Sequence, residues 1–524
     1  MSRKLFKSTA VTGGMTLVSR ITGLIRDIVF ASLIGAGTGV AADAFYVAFR
    51  IPNFLRRIFG EGAFSQAFVP VFAEYKARAD HEDMRAFVDH VAGTFALILF
   101  VVTLVGVVAA PVLVMLLAPG FLDEPTKYDL TVVMLRIVFP YIFFVSLVAM
   151  AAGILNTYGR FGAAAFTPVL LNLSLIAAAL LLAPHLERPV LALAWGVFIA
   201  GAVQLAFQIP FLRHLHLLPR PRFSWRTKHQ GVTRVFKLML PAIFGVSIAQ
   251  VNMLVNTLLA SFLVTGSVSW LYYSDRLMEF PLGVFGIALA TVILPSLSRR
   301  HATNSHEEFS HLLDWGLRWV CVIGVPASVA LVVLSGPMLA TLFHFGAFGA
   351  DDVRKSAEAL MAFSFGLLGF ILVKVLAPGF YARQDTKTPV RAGMTSMAAN
   401  IGFSLLLFYP LKHVGLALAI TLAAYVNAAL LYIWLRRQNV YRPLPGWGRY
   451  LAQVIVASAI MGGMLYWGVG DLDGWLSARA FERVARLAFW IVAGLAVFAA
   501  ALIGLGVRPR QLLLKRAEGA IHDD

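Results

Sequence analysis

Apolar runs of about twenty residues recur from one end of the chain to the other, separated by short polar joints. Each is long enough to cross a ~30 Å hydrocarbon layer as a helix. Centred on these runs, the sequence predicts spans near residues 8–34, 43–73, 87–118, 130–155, 161–183, 190–212, 235–264, 268–298, 312–345, 356–382, 389–409, 413–435, 450–470 and 484–507. The expected fold class is an all-α polytopic membrane protein of about fourteen transmembrane helices. The second and eighth runs are the least regular, because Pro52 and Pro281 and the charges beside them interrupt the apolar pattern.

Composition removes the competing classes. With 59% hydrophobic residues, 14% charged residues and a mean hydropathy of +0.78, the 524 residues leave no room for a large soluble domain. The net charge of +17 would suggest nucleic acid in a soluble protein; in a membrane protein a basic excess is first a topology signal. If the N-terminus is inside, the inner loops hold Arg3, Lys4, Lys7, Lys76, Arg78, the basic run from Arg213 to Lys237, and Arg436, Arg437, Arg508 and Arg510. The outer loops hold Lys127, Arg188, Arg354 and few others. Both termini are therefore expected in the cytoplasm, and nucleic acid is not expected as a partner. The basic N-terminus lacks a convincing small-residue cleavage site and is expected to be a retained first span. The lone Cys321, set among apolar residues, allows no internal disulfide and predicts a buried, inert thiol.

An internal repeat suggests how the spans are grouped. Ala31-Ser32 matches Ala260-Ser261, Pro52 matches Pro281, Phe68-Val69-Pro70 resembles Ile293-Leu294-Pro295, and Leu191 to Ala194 recurs as Leu416 to Ala419, at an offset of about 225 to 229 residues. Six spans per repeat is an even number, so the two copies insert in the same orientation, as in parallel-repeat transporters. The organisation expected is an N-terminal lobe over residues 1–217 (spans 1 to 6), a basic cytoplasmic linker over 218–234, and a C-terminal lobe over 235–440 (spans 7 to 12). Residues 441–524 add a two-helix unit (spans 13 and 14) and a cytoplasmic tail. The Gly-, Ala- and Val-rich spans 13 and 14 suit either close packing or a groove for a lipid tail.

The chemistry sits where charge enters the spans. Arg20, Arg26, Asp27, Arg50, Arg56, Arg57 and Glu61 fall within the first two runs, and a charge at mid-bilayer costs at least ~3 kcal/mol unless it faces protein or water. Arg20 and Arg26 are six residues apart, within roughly 120° on one helix, which predicts an internal face. In the second repeat Asp275, Arg276 and Glu279 precede Pro281, as Arg50 precedes Pro52. Arg136, Arg318 and Lys374 are equally well explained by snorkelling. Gly35-Ala-Gly37-Thr-Gly39 has no preceding strand and no Walker lysine, so it is a turn and not a nucleotide loop. The twelve histidines show no metal-ligand spacing. No catalytic residue, metal site or cofactor is expected.

At Ser19-Arg20, Gly23, Arg26-Asp27, Ala42-Asp43-Ala44-Phe45 and the run from Pro52 to Pro70, the chain closely resembles the MurJ (MviN) family. The likeness continues through Ser269 to Pro281 and Lys374 to Pro389, and covers essentially the whole chain. The resemblance implies a flippase of the multidrug/oligosaccharidyl-lipid/polysaccharide (MOP) exporter superfamily. It implies that lipid II, the undecaprenyl-pyrophosphate-linked muropeptide of peptidoglycan synthesis, is moved across the bacterial inner membrane by alternating access, with membrane lipids and other cell-wall synthesis proteins as partners. It maps family-essential cavity residues onto Arg20, Arg26, Asp43, Arg56, Glu61 and Arg276.

Substrate binding is accordingly expected at Arg20, Arg26, Arg56 and Arg276, because a guanidinium offers pyrophosphate a planar fork of donors that never deprotonates. Asp27, Asp43, Glu61, Asp275 and Glu279 are expected to pair the arginines when the site is empty. Some family members hold sodium with carboxylates, but Leu238–Leu263 and Pro389–Phe408 contain no Asp or Glu, so the membrane potential is the expected driver. An exporter of another polyprenyl-linked sugar remains open as an alternative, as does, more remotely, a membrane-embedded polyprenyl glycosyltransferase.

Overall fold

In hydrocarbon every backbone N–H and C=O must be satisfied within the protein, which leaves the helix as the outcome for a long apolar run. The computed structural model describes residues 3–37, 39–222, 230–303 and 305–507, and among them no strand occurs. The protein is an all-α, multi-pass membrane protein. Nine helical stretches among the described residues are long and apolar enough to cross a membrane: His81–Val108, Pro125–Thr157, Phe161–His185, Leu191–His214, His306–Phe343, Ala350–Tyr381, Lys387–Arg437, Trp447–Val469 and Ala480–Gly504. Residues 223–229 of the expected linker and 508–524 of the expected tail lie outside the described residues.

Contacts divide the chain into two units, residues 1–269 with 345–349, and residues 270–344 with 350–524. The first unit contains α1 (Arg3–Ile34), α2 (Val40–Leu55), α3 (Ser65–Arg78), α4 (His81–Val108), α5 (Ala110–Leu117), α6 (Pro125–Val138), α7 (Tyr141–Thr157), α8 (Phe161–Ala177), α9 (Leu191–His214) and α10 (Gln230–Ser261). Helix α1 packs on α8, α2 on α6, and α7 and α8 on α9. Local sequence sets the ends of these helices. Asp80 caps α4 by accepting from the Asp83 amide at 2.8 Å, and Glu82 and Asp83 complement the positive end of its dipole. Gly35 follows α1 at φ 62, the left-handed conformation that closes a helix, and donates to Ala31 O at 2.9 Å.

The second unit contains most of α11 (Ser267–Pro281), then α12 (Ile287–Ala302), α13 (His306–Phe343), α14 (Ala350–Leu376), the short α15 (Pro378–Tyr381), α16 (Lys387–Arg437), α17 (Trp447–Val469), α18 (Leu472–Ser477) and α19 (Ala480–Gly504). Helix α16 folds back at Lys412, whose φ is 49 and ψ −127, just after Pro410. Helix α13 packs on α14 and α17, and α17 on α19. Val454, Ala457, Met461 and Leu465 of α17 join Cys321 of α13 and Phe498 and Leu502 of α19 in one apolar core. The thiol is buried there.

The two irregular runs share a construction. In the first unit, α2 carries Pro52 and runs into a π-helical segment, Arg56–Phe64, before α3 resumes with Pro70 inside it. In the second, α11 ends at Pro281, a π-helical segment covers Leu282–Gly286, and α12 resumes with Pro295 inside it. Proline removes a donor and crowds the preceding turn, and a wider turn is one way the backbone absorbs that. After the first π segment a stack of rings fixes the chain again: Phe64 lies 4.0 Å from Phe95, Phe68 5.4 Å from Phe72, and Tyr75 4.3 Å from Phe87, so α3 is held against α4.

Candidate functional site

Arg26 is the most deeply placed of the expected substrate-binding residues. It is 6% exposed, and its neighbour Asp27 is fully buried. The guanidinium donates to Asp27 Oδ1 through Nε (3.0 Å) and Nη2 (2.6 Å), and through Nη1 to Asn172 Oδ1 (3.1 Å) on α8. The Phe30 ring lies 5.7 Å below it. Asn172 uses its other end to donate to Ser19 O and Thr22 Oγ1 on α1, so one amide ties Arg26 to a turn of its own helix. Behind it, Gln204 and Gln208 of α9 donate to Thr167 of α8, at its carbonyl and its hydroxyl. Thus Arg26 sits on a polar seam between α1 and α8, and α8 is tied in turn to α9. Arg20, two turns earlier on α1, is half-buried.

Along the broken second span further arginines bond to polar side chains. Arg56 sets Nε and Nη2 on Asn53 Oδ1 at 3.0 and 2.8 Å and is half-buried. Arg50 donates to Thr257 Oγ1 of α10 at 2.7 Å, and Arg57 reaches Gln250 Oε1 at 3.4 Å. These are neutral oxygens, which an anion can outcompete as acceptors. The side chain of Glu61 lies outside the described residues.

Asp43 is placed differently from the arginines. Buried to 1% exposure, it accepts from Gly266 N (2.8 Å), Ser269 N (3.0 Å) and Ser269 Oγ (2.6 Å), and pairs with Lys127 Nζ at 3.3 Å. Lys127 also donates to Thr265 Oγ1, which donates to Glu124, and its ammonium lies 4.3 Å from the Phe121 ring centroid. Close by, Gly120 donates to Ser261 Oγ, and a Cβ at Gly120 would lie 2.3 Å from Ser261 O, so only glycine permits that approach. The cluster fastens the turn after α10 to α2 and α6 within the first unit.

In the second unit, Arg276 Nη1 reaches Glu279 Oε2 at 3.3 Å, an i,i+3 pair with both side chains at least a third exposed. Asp275 is half-buried on the same turn. The structure therefore brings together Arg26 with Asp27 and Arg276 with Glu279, and gives Asp43 a lysine partner.

Three functional candidates escaped sequence reasoning. Lys127 is counted there among loop cations yet is 2% exposed; a lone Asp43 in an apolar run was the signal that a buried cation had to meet it. Asn172 is the one amide in the apolar stretch after Pro168, with Ser174 the only other polar residue before Pro184. Asp314 is the carboxylate four residues before Arg318 on α13, spacing that predicts a pair. It is fully buried and accepts from Arg318 Nε (2.8 Å), Tyr441 OH (2.8 Å), Leu444 N (3.1 Å) and Trp447 Nε1 (2.6 Å). Arg318 also lies over the Trp447 and Tyr450 rings, so it is anchored inward and does not snorkel. Burial, and then the Asp314 carboxylate, push the Tyr441 phenol above its ordinary value and keep it a donor.

Among the described residues no group of three or more His, Cys, Asp or Glu is arranged to hold a metal ion. In fold, the chain resembles a solved structure of "Lipid II flippase MurJ, inward closed conformation" (TM-score 0.79, 24% identity, 95% of this chain and 99% of that one). It also resembles an inward-facing multidrug resistance MATE family transporter of the MOP superfamily (TM-score 0.65, 15% identity, 80% and 94%). In sequence it is 48% identical over 514 residues to the probable lipid II flippase MurJ of Haemophilus influenzae, covering 96% of this chain and all of that protein. It is 44% identical over 508 residues to the lipid II flippase MurJ of Burkholderia cenocepacia, covering 96% of each. A family model described as lipid II flippase MurJ matches residues 30–483, a stretch that holds the paired Asp43 and Lys127, both broken spans and the Asp314 hub, and the chain belongs to that family.

Proposed function

We propose that this chain translocates lipid II from the cytoplasmic to the periplasmic face of the bacterial inner membrane by alternating access, as a transporter and not an enzyme. The observation that carries the reading is the Arg26 guanidinium, buried in α1 and held by Asp27 and Asn172. A pyrophosphate that displaced the Asp27 carboxylate would inherit donors already aimed, so the desolvation of the arginine is met before substrate arrives. Arg20 and Arg56 in the first unit and Arg276 in the second are proposed to contact the same pyrophosphate. Asp27, Asp43, Glu61, Asp275 and Glu279 are proposed as the carboxylates exchanged or held during the cycle.

The architecture proposed for that work has fourteen spans. Two six-helix lobes related by a parallel repeat (residues 1–217 and 235–440) are joined by the linker 218–234, with two further helices at 441–524 and both termini cytoplasmic. The shared proline and π-segment order of the two broken spans supports the repeat. The nine apolar stretches cover ten of the fourteen expected spans, since Lys387–Arg437 holds two; the other four are α1, which carries Arg20, Arg26 and Asp27, the broken second and eighth spans, and α10. The driver proposed is the membrane potential, since moving negative charge out of a negative interior releases about 2.3 kcal/mol per charge per 100 mV. In cells depleted of the protein, a topological probe should find lipid II accumulating on the inner face. Unchanged outward appearance of lipid II after depletion would overturn the assignment. Vesicle transport should persist when sodium is replaced by potassium at fixed voltage.

A further inference from the structure

A second, separate concentration of cationic groups lies at one end of the second unit. The last turn of α12 carries Arg299, Arg300 and His301, and the last turn of α16 carries Arg436 and Arg437. Cations at helix C-termini complement the dipole, and most such residues do no more than that. Of these, Arg300 and His301 border a concavity. Arg300, His301 and His306, with Arg383 and Gln438, surround a pocket of about 110 Å³ whose floor includes the buried Phe309.

The occupancy of these groups shows what the pocket lacks. Arg383 Nη1 donates to a neutral oxygen, Gln438 Oε1, at 2.7 Å. Arg300 Nε meets the Glu308 carboxylate at 3.2 Å, but Glu308 is half exposed, and a rim pair of that kind is worth little and is readily exchanged. Two guanidiniums and two imidazoles thus line a small space, and the carboxylates that meet those guanidiniums, Glu308 and Asp385, lie outside its lining. A space of that size admits a tetrahedral phosphate.

Position decides the source of that phosphate. The pocket is bounded by the ends of α12, α13, α15 and α16, where membrane-spanning helices emerge into the interfacial layer. Eight residues further along α13, about 12 Å deeper, Leu317 opens an apolar groove of about 490 Å³ that extends to Trp447. A phosphate at the helix ends and hydrocarbon about two turns below is the shape of a phospholipid, and basic pockets between helices on the cytoplasmic side are where anionic headgroups bind.

We propose that the pocket between Arg300 and Arg383 seats the phosphate of an anionic phospholipid headgroup, with an acyl chain directed toward the groove at Leu317. The site is distinct from Arg26 and its partners, and it stands or falls independently of the flippase assignment.

The test is lipid titration of the full-length protein in non-ionic detergent. Dihexanoyl phosphatidylglycerol should bind saturably, and dihexanoyl phosphatidylcholine and inorganic phosphate should each bind at least about tenfold more weakly. The double variant Arg300→Gln/Arg383→Gln should lose about tenfold or more in affinity for phosphatidylglycerol, while Arg300→Lys/Arg383→Lys, which keeps the charge and loses the forks, should fall between that variant and the native protein. Inorganic phosphate binding as tightly as the lipid would make this a soluble-anion site, and phosphatidylcholine binding equally would show that charge is not read; either overturns the proposal. So would native affinity in a folded glutamine variant. A measurement on the unaltered protein covers the case in which that variant does not fold. In phosphatidylcholine vesicles doped with a headgroup-photoreactive phosphatidylglycerol, labelling should map to residues 300–309 and 383, and labelling confined elsewhere sinks the idea.

Discussion

Two buried arginine–aspartate pairs, one in each unit, are built for opposite purposes. Asp314 meets Arg318 one helical turn away and collects three further donors, from Tyr441, Leu444 and Trp447, all in the connection between α16 and α17 or at its edge. Asp27 meets the arginine immediately beside it in sequence, and the third contact of that arginine is an amide on α8. The first pair closes a loop by saturating one carboxylate from several points of the chain. The second holds a guanidinium fork in place from its own helix. A buried ion pair is by itself weak evidence for either stability or function; what marks the Asp314 pair is that its carboxylate gathers donors from a connection far along the chain, and what marks the Arg26 pair is that its guanidinium is shared with an amide on α8.

That contrast breaks most sharply at Asp314. Asp314→Ala strands the Arg318 charge and three donors at once and should lower stability by about 3 to 5 kcal/mol, read as thermal unfolding of the purified protein. Normal melting would mean that the loop is held by something else. Arg26→Lys should do the reverse. Its melting temperature should hardly move, while lipid II translocation falls at least about tenfold, because an ammonium keeps the charge and loses the fork. Native-rate translocation by a normally expressed Arg26→Lys protein would reduce Arg26 to a point charge.

Asn172→Leu sharpens the comparison by removing the holder and leaving the pair. Translocation should drop about fivefold, with a smaller loss for a substitution that retains an acceptor, Asn172→Asp. Arg318→Lys should cost about 1 kcal/mol through lost stacking on Trp447 and Tyr450, with transport unchanged. The smallest effect is expected at Asp385, outside the spans. Burial raises its pKa, but the Thr388 hydroxyl and the Thr388 and Lys387 amides, with Arg383 nearby, outweigh that and hold it below the ordinary value. A depressed folded-state pKa gives stabilisation that is present above the unfolded value near ~3.9 and is lost as pH falls through the folded one. Thr388→Val should therefore lower melting slightly at neutral pH and flatten its acid limb; an unchanged acid limb would remove Asp385 from the account.

The helical class was legible because apolar runs of span length have one outcome in lipid. The positions of the two broken spans were legible too, since proline and charge at Pro52 and Pro281 mark them directly. What local pattern could not supply was pairing across the chain. Asp43 and Lys127 are 84 residues apart (127 − 43), and nothing at either position names the other. Asn172 reaches Arg26 from α8 in the same way. Nor does charge counting distinguish an arginine whose fork lies on a neutral amide, as at Arg56, from one locked onto a saturated carboxylate, as at Arg318.

The π-helical segment Arg56–Phe64 also sets a register. A residue added to or taken from a helix turns everything beyond it by about 100°. The wide turns of this segment therefore determine which side of α3 carries Phe68 and Phe72 into the ring stack on α4. If the segment tightened to an ordinary α-helix by losing one residue, those rings and Tyr75 would swing toward the flank and polar neighbours such as Gln66 would rotate with them. Length is thus as constrained as chemistry between residues 56 and 64: a substitution there changes one side chain, whereas a single deletion changes the facing of the whole helix that follows.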